Sequence, residues 1–224
     1  MKKKLITVVL LNSILSGCGG SDSGSSASGI TYDIKDFFPQ QNVTNNYEVY
    51  KKYSLSNSDY TFGSEFSADY EVNVSGYQKN YTQNYKDISS QIGTFSNDNL
   101  TVISTTFYGT TQTSTTTRKF QVGNVLSNST DKSGSSSTCI AEDILPTKEF
   151  VINSNTYVFN DVLKVKCTFI SDSSIDVTYD YFAKGKGQVA FEDRQCTDES
   201  GKKNDNSENC ILASEKLEIL VSQK

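Results

Sequence analysis

Histidine is absent from all 224 residues. With it go the Ser-His-Asp and Cys-His arrangements of nucleophilic catalysis, every imidazole-ligated metal centre and any histidine proton relay. No two cysteines stand in a CxxC spacing, so zinc has no ligand set either. Long apolar runs are missing as well. The uncharged and mostly apolar stretch Leu5–Leu15 is 11 residues, too short to cross a bilayer core of about 30 Å as a helix. Positive charge is scarce beyond the first residues. Once a leader with Lys2, Lys3 and Lys4 is set aside, 18 Lys and Arg face 26 Asp and Glu, a net charge of −8. Phosphate contacts need clustered Lys and Arg, so no nucleic-acid partner is expected, and anionic headgroups should repel the chain.

The strings that imitate catalytic or metal motifs fail on context. Ser129-Thr130-Asp131-Lys132 has the SxxK spacing of serine–lysine acylases, but it sits in a low-complexity stretch rather than at a helix start. Among the 26 acids, Glu142-Asp143 and Glu192-Asp193 are sequence neighbours. Adjacent strand residues point to opposite faces, so neither forms a glycosidase-like pair. The segment Asn204–Glu215 is spaced like a calcium loop. It has Asn204 in place of the leading Asp, Asn209 in place of the turn glycine, and no flanking helices. A solvated loop closed by a disulfide is the simpler reading. No metal and no cofactor is expected.

What is present begins with a basic start, the short apolar stretch and then Leu15-Ser16-Gly17-Cys18. Basic residues before an apolar run of this length form a secretory signal. The tetrapeptide resembles the lipobox of bacterial lipoproteins. The resemblance implies cleavage after residue 17, acyl chains on Cys18 and attachment to a membrane through them. Gly19 stands where Asp would signal inner-membrane retention, and by the same resemblance this favours the outer membrane. Residues 19–29 read GGSDSGSSASG, a flexible tether with an r.m.s. reach of about 17–20 Å. The expected organisation is a signal over 1–17, lipidated cysteine and tether over 18–29, and a single β domain over 30–224.

Past the tether, apolar residues recur with period two, and β-branched and aromatic residues are frequent. The fold class expected is all-β: an antiparallel meander forming a bent sheet or incomplete barrel with little helix. Candidate strands run over 47–54, 60–66, 70–77, 81–88, 100–108, 113–122, 149–152, 156–159, 162–170, 175–183, 188–192 and 216–221. A short helix over Asp33–Phe38, stopped by Pro39, and a turn near Ala141–Leu145 are the only helical pieces. Residues 127–138 lack a core-forming pattern and are expected to be a mobile loop at the seam between two halves. Four cysteines remain after Cys18: Cys139, Cys167, Cys196 and Cys210. In an oxidising compartment they form two disulfides, expected as Cys139–Cys167 and Cys196–Cys210 because sequence neighbours meet most easily.

Tyrosine is abundant, at 13 residues. Tyr70, Val72 and Val74 alternate on one strand and Tyr81, Gln83 and Tyr85 on another. Tyr70, Val72, Val74, Tyr81 and Tyr85 form a candidate ligand face on the concave side of a curved sheet. Ser and Thr fill 11 of the 17 positions from Thr101 to Thr117, which suits a solvated or adhesive surface. Tyr181-Phe182-Ala183-Lys184-Gly185-Lys186-Gly187-Gln188-Val189 resembles a Tyr-x-Ala-x-Gly-x-Gly-x-Val pattern of small secreted and lipid-anchored bacterial β proteins. Those proteins are akin to the half-barrel lipoprotein carriers of the periplasm. Its glycines permit positive φ or a bulge where one strand turns into the next.

The functional expectation is a non-enzymatic envelope lipoprotein. Its concave aromatic face would bind a hydrophobic ligand or an envelope protein. A surface-exposed structural or adhesive lipoprotein is the alternative, and a carboxylate-pair hydrolase a remote one.

Overall fold

The computed structural model describes residues 29–53, 59–84, 86–106, 108–130, 134–171, 174–197 and 211–224. The chain opens with β1 (Tyr32–Asp33), a 3-10 turn (Ile34–Phe37), β2 (Val43–Tyr53), β3 (Thr61–Asn73) and β4 (Gly76–Gln83). It continues through β5 (Lys86–Phe95), β6 (Asn99–Thr106), β7 (Thr111–Thr117), β8 (Lys119–Phe120) and β9 (Val125–Thr130). The last five strands are β10 (Ser136–Ile152), β11 (Asn155–Ile170), β12 (Ile175–Ala183), β13 (Gly187–Thr197) and β14 (Ile211–Gln223). Twelve of these strands make one antiparallel sheet in the order β7-β6-β5-β4-β3-β2-β14-β13-β12-β11-β10-β9. The sheet curls almost into a barrel, with one seam between β7 and β9. Short turns force antiparallel neighbours, so two meanders form, and they join where the first long strand pairs with the last.

The inner face holds the main core. Tyr47, Ala68, Tyr70, Tyr77, Tyr81, Leu100, Leu126, Leu163 and Val165 are buried there together with the N-terminal segment. That segment acts as a plug. β1 pairs with β8, and Asp33 caps the 3-10 turn by accepting from the Lys35 N–H at 2.9 Å. Phe38 then stacks on Tyr77 with ring centroids 4.8 Å apart and meets Phe95 edge-on at 5.7 Å. The Asp36 carbonyl accepts from the Gly185 N–H at 2.8 Å, tying the plug to the β12–β13 turn. Arg118 pairs with Asp33 at 2.7 Å and secures its other end.

A second layer covers only part of the outside. The β10–β11 hairpin is longer than the strands beside it, and its ladder skips Pro146 and Asp161. Proline has no N–H to give, and Asp161 takes φ 51°. Beyond this kink the hairpin folds over the outer face of β12, β13, β14 and β2. Its tip reaches Tyr60, where Asn153 accepts from the Tyr60 N–H and donates to the Tyr60 carbonyl at 2.9 and 3.0 Å. Phe150 packs edge-on against Tyr181 at 5.0 Å, and Ile152, Phe159, Ala190, Leu217 and Ile219 are buried in this layer.

Several sequence expectations need correction. Residues 127–138 are not a free loop: 127–130 and 136–138 are paired strand, Ser137 opposite Ser129 and Cys139 opposite Ser127. Thr and Ser suit strands even without apolar neighbours, and the ladder to β10 holds them. The seam lies instead beside residues 118–124, which carry the chain from β7 to β9. Residues 141–145 are strand with a bulge between Ala141 and Asp143, not a turn. The run 70–77 breaks at a turn over Val74 and Ser75, where Asn73 accepts from the Ser75 N–H at 2.9 Å. The run 81–88 breaks at Asn84, which takes φ 52°. The expected helix over Asp33–Phe38 is present as the shorter 3-10 turn.

Cys139 and Cys167 are directly opposite on β10 and β11 and form a buried disulfide, as their spacing suggested. Cys196 is also disulfide-bonded. Cys210, Cys18, the signal segment and most of the calcium-like segment lie outside the described residues.

Candidate functional site

The expected ligand face divides. Tyr70 and Tyr81 come together with Tyr47 and Tyr77 on the inner wall and are 2 % and 5 % exposed. Val72 is half-buried beside them. Val74 is 95 % exposed in the β3–β4 turn, and Tyr85 lies outside the described residues. The concave face is therefore a core rather than an open cleft, because Phe38, Phe120 and the plug occupy the space that a ligand would take. Tyr77 lies so close over Gly93 that a Cβ there would come within 2.2 Å of the ring.

At the centre of this aromatic wall stands Lys79, a residue that alternation alone places between Tyr77 and Tyr81. It is 2 % exposed. Its ammonium lies 4.4 Å from the Tyr81 ring centroid and 5.0 Å from that of Tyr70. Burial dominates and lowers its pKa to about 7, with Glu218 and Asp180 pulling the other way. Asp180 is raised to about 7, first by burial and then by Glu218, while Lys79 and a 2.7 Å bond from Gln188 oppose the shift. Nearby, Tyr47 donates to the Gln188 carbonyl at 2.6 Å and Asn45 donates to the Lys186 carbonyl at 2.9 Å. These bonds strap the Gly185–Gly187 turn to β2. Both of its glycines take positive φ, 71° and 81°. The lysine and its acids were missed in the sequence. The available signal was a charge at an inward position of an otherwise aromatic alternation.

The acids singled out earlier are engaged. Glu192 is bonded by Tyr181 at 3.0 Å and paired with Arg194 at 2.5 Å. Glu142 pairs with Lys164 at 2.5 Å, and Lys164 lies 4.3 Å from the Tyr179 ring centroid. Tyr60 donates to Glu215 at 2.8 Å. Glu142 and Glu192 are thus both paired on the outer face, and neither stands as a lone acid or base. Two shallow recesses lie among the described residues. One of about 360 Å³ lies between the plug, Val72, Val74 and Phe95. The other, about 530 Å³, lies in the elbow of the β10–β11 hairpin beside Lys148 and Glu149.

A regular open surface is formed by the outer face of β5–β7. Cross-strand register sets Ser90, Thr105 and Thr111 in one row, Ile92, Ile103 and Thr113 in the next, and Thr94, Thr101 and Thr115 in the third. None of the nine is charged. Neither ladder carries a bulge, so rows of methyls and hydroxyls repeat at strand spacing, about 4.8 Å across the strands. Ile92 and Ile103 are 49 % and 41 % exposed at its middle.

No protein-family model and no curated protein matches the chain. Among solved structures the chain is similar to one described as "a putative lipoprotein from Parabacteroides distasonis ATCC 8503". The identity is 13 %, 84 % of this chain and 98 % of the other are covered, and the TM-score is 0.46.

Proposed function

We propose that the protein is a non-enzymatic lipoprotein of a bacterial cell envelope, held at the outer membrane by acyl chains on Cys18. Its work is adhesive: the uncharged face of β5–β7 contacts a neutral carbohydrate polymer. The observation that carries this reading is the nine-position array of Ser, Thr and Ile. A chain with 21 % charged residues keeps these nine positions free of them. Hydroxyls there can exchange hydrogen bonds with sugar hydroxyls, and the methyls cover the apolar faces of sugar rings. A ligand buried in the concave side, the other reading open from sequence, has no room beneath the plug. The lipid anchor rests on the Leu15-Ser16-Gly17-Cys18 motif.

Two measurements test the reading. Cys18→Ala should move the protein from the detergent phase to the aqueous phase, and unchanged partitioning would sink the anchor. Ile103→Lys with Thr113→Lys should abolish co-sedimentation with insoluble cell-envelope polysaccharide while the melting temperature holds. Retained co-sedimentation would remove the array from the function.

A further inference from the structure

Resting on the lipid anchor above, we propose that the plugged end of the barrel is a membrane-contact surface that seats on the bilayer holding Cys18. Strand register puts the turns at 74–75, 96–98 and 184–186, the link at 121–124 and the C-terminal Lys224 at or beside this end. The tether ends there as well, since the Gly29 carbonyl accepts from the Gln121 amide at 3.0 Å. Eleven residues with a reach of about 17–20 Å therefore separate this end from the acyl chains.

Four apolar side chains are exposed at or beside this end: Val74 at 95 %, Ile30 at 70 %, Val125 at 49 % and Val122 at 46 %. Tight turns ordinarily carry polar residues, as Asn73 and Ser75 do on either side of Val74. Beside Val74 the recess of about 360 Å³ has Val72, Tyr77 and Phe95 as walls and Lys35 among its lining residues. Lys119, Lys184 and Lys186 are exposed around the same end, with Asp36 and Asp98 between them.

This mixture matches the interfacial layer of a phospholipid bilayer, where apolar tips enter the acyl boundary and lysines remain among the phosphates. Attraction by charge alone is small, because acids alternate with the lysines. The tether supplies what charge does not: it makes the second contact intramolecular, at an effective concentration in the millimolar range. Weak insertion of a few side chains is then enough to orient the domain. Seated this way, the β5–β7 array stands to the side, and the turns of the opposite end point away from the bilayer.

The test uses the full-length protein purified with its anchor and reconstituted in phosphatidylethanolamine–phosphatidylglycerol vesicles. A fluorophore is placed at Val74→Cys in one sample and at Tyr108→Cys in another, Tyr108 being 75 % exposed at the far end. Spin-labelled lipids should quench the Val74 probe at least about twofold more than the Tyr108 probe, as expected of a side chain at the acyl boundary. Ile30→Asp with Val122→Asp should reduce that ratio toward one. Equal quenching of both probes on firmly anchored protein overturns the contact surface alone. Loss of vesicle association in the purified protein overturns the anchor and the contact surface together.

Discussion

The two meanders of this sheet share one inner core but differ on the outside. Over β3–β7 the outer face meets water through Thr, Ser, Asn and Glu. Over β12–β14 it lies beneath the folded-back β10–β11 hairpin, and Phe150, Ile152, Phe159, Leu217 and Ile219 are buried there. The same strand geometry thus yields a one-sided and a two-sided sheet within a single domain. What separates them is hairpin length: β10 and β11, at 17 and 16 residues, are long enough to return over their neighbours. The lesson is a division of labour. The C-terminal half carries extra packing, and the N-terminal half keeps a face available for contact.

The largest effect should come from the second layer. Phe150→Ala should cost about 3–5 kcal/mol in urea unfolding, as for other large-to-small core changes. Ile103→Ala on the open face should stay within about 0.5 kcal/mol. Equal costs would dissolve the distinction between the halves. Next, replacing Cys139 and Cys167 together by alanine should lose about 3–4 kcal/mol, from the loop entropy released in the unfolded chain. A guanidinium midpoint unaltered by the double replacement would remove the disulfide from the account.

The effect expected at Lys79 is smaller per pH unit and accumulates only as the pH rises. Between about 7 and 10.5 the unfolded lysine holds a proton that the folded one has released, so stability rises with pH across that window. Asp180 behaves in the opposite sense. Between 3.8 and about 7 its folded form keeps a proton that the unfolded one has lost, and stability falls as pH rises. Lys79→Met should abolish the rising limb, whose slope is at most about 1.4 kcal/mol per pH unit. Chemical denaturation at pH 7, 8.5 and 10 measures it, and an unchanged limb would mean that Lys79 is not the titrating group.

The smallest effect distinguishes the two turn glycines. Gly187→Ala and Gly185→Ala both force a left-handed residue, at about 1–2 kcal/mol. Only at 187 would the new methyl also meet Tyr70, 2.8 Å from its hydroxyl. Gly187→Ala should therefore melt lower than Gly185→Ala, and the reverse order would discount the contact.

Much of the fold was legible in the sequence because period-two alternation is a direct image of a pleated strand. Tyr70 and Tyr81 could be assigned to one face on that basis, and Cys139 could be matched with Cys167. The same alternation misled at Val74, which keeps the phase of Tyr70 and Val72 but lies past the point where Asn73 turns the chain. It misled also over 127–138, where hydroxyl-rich residues pair as firmly as apolar ones once a neighbouring strand offers its ladder.

The candidate face was found in part. Its tyrosines were recognised, but the burial of those rings depends on residues 30–39, far away in sequence. The β5–β7 array was visible as a run of Ser and Thr. Only its register revealed nine uncharged positions on one face.

By itself the chain determined its all-β class, its antiparallel connectivity and one cysteine pairing, because short turns, alternation and close sequence neighbours are local properties. Tertiary structure alone decided that β2 meets β14, that the plug fills the concave side and that a long hairpin covers half of the outside. Those outcomes depend on which apolar surfaces find each other across more than a hundred residues, and local pattern carries no record of that choice.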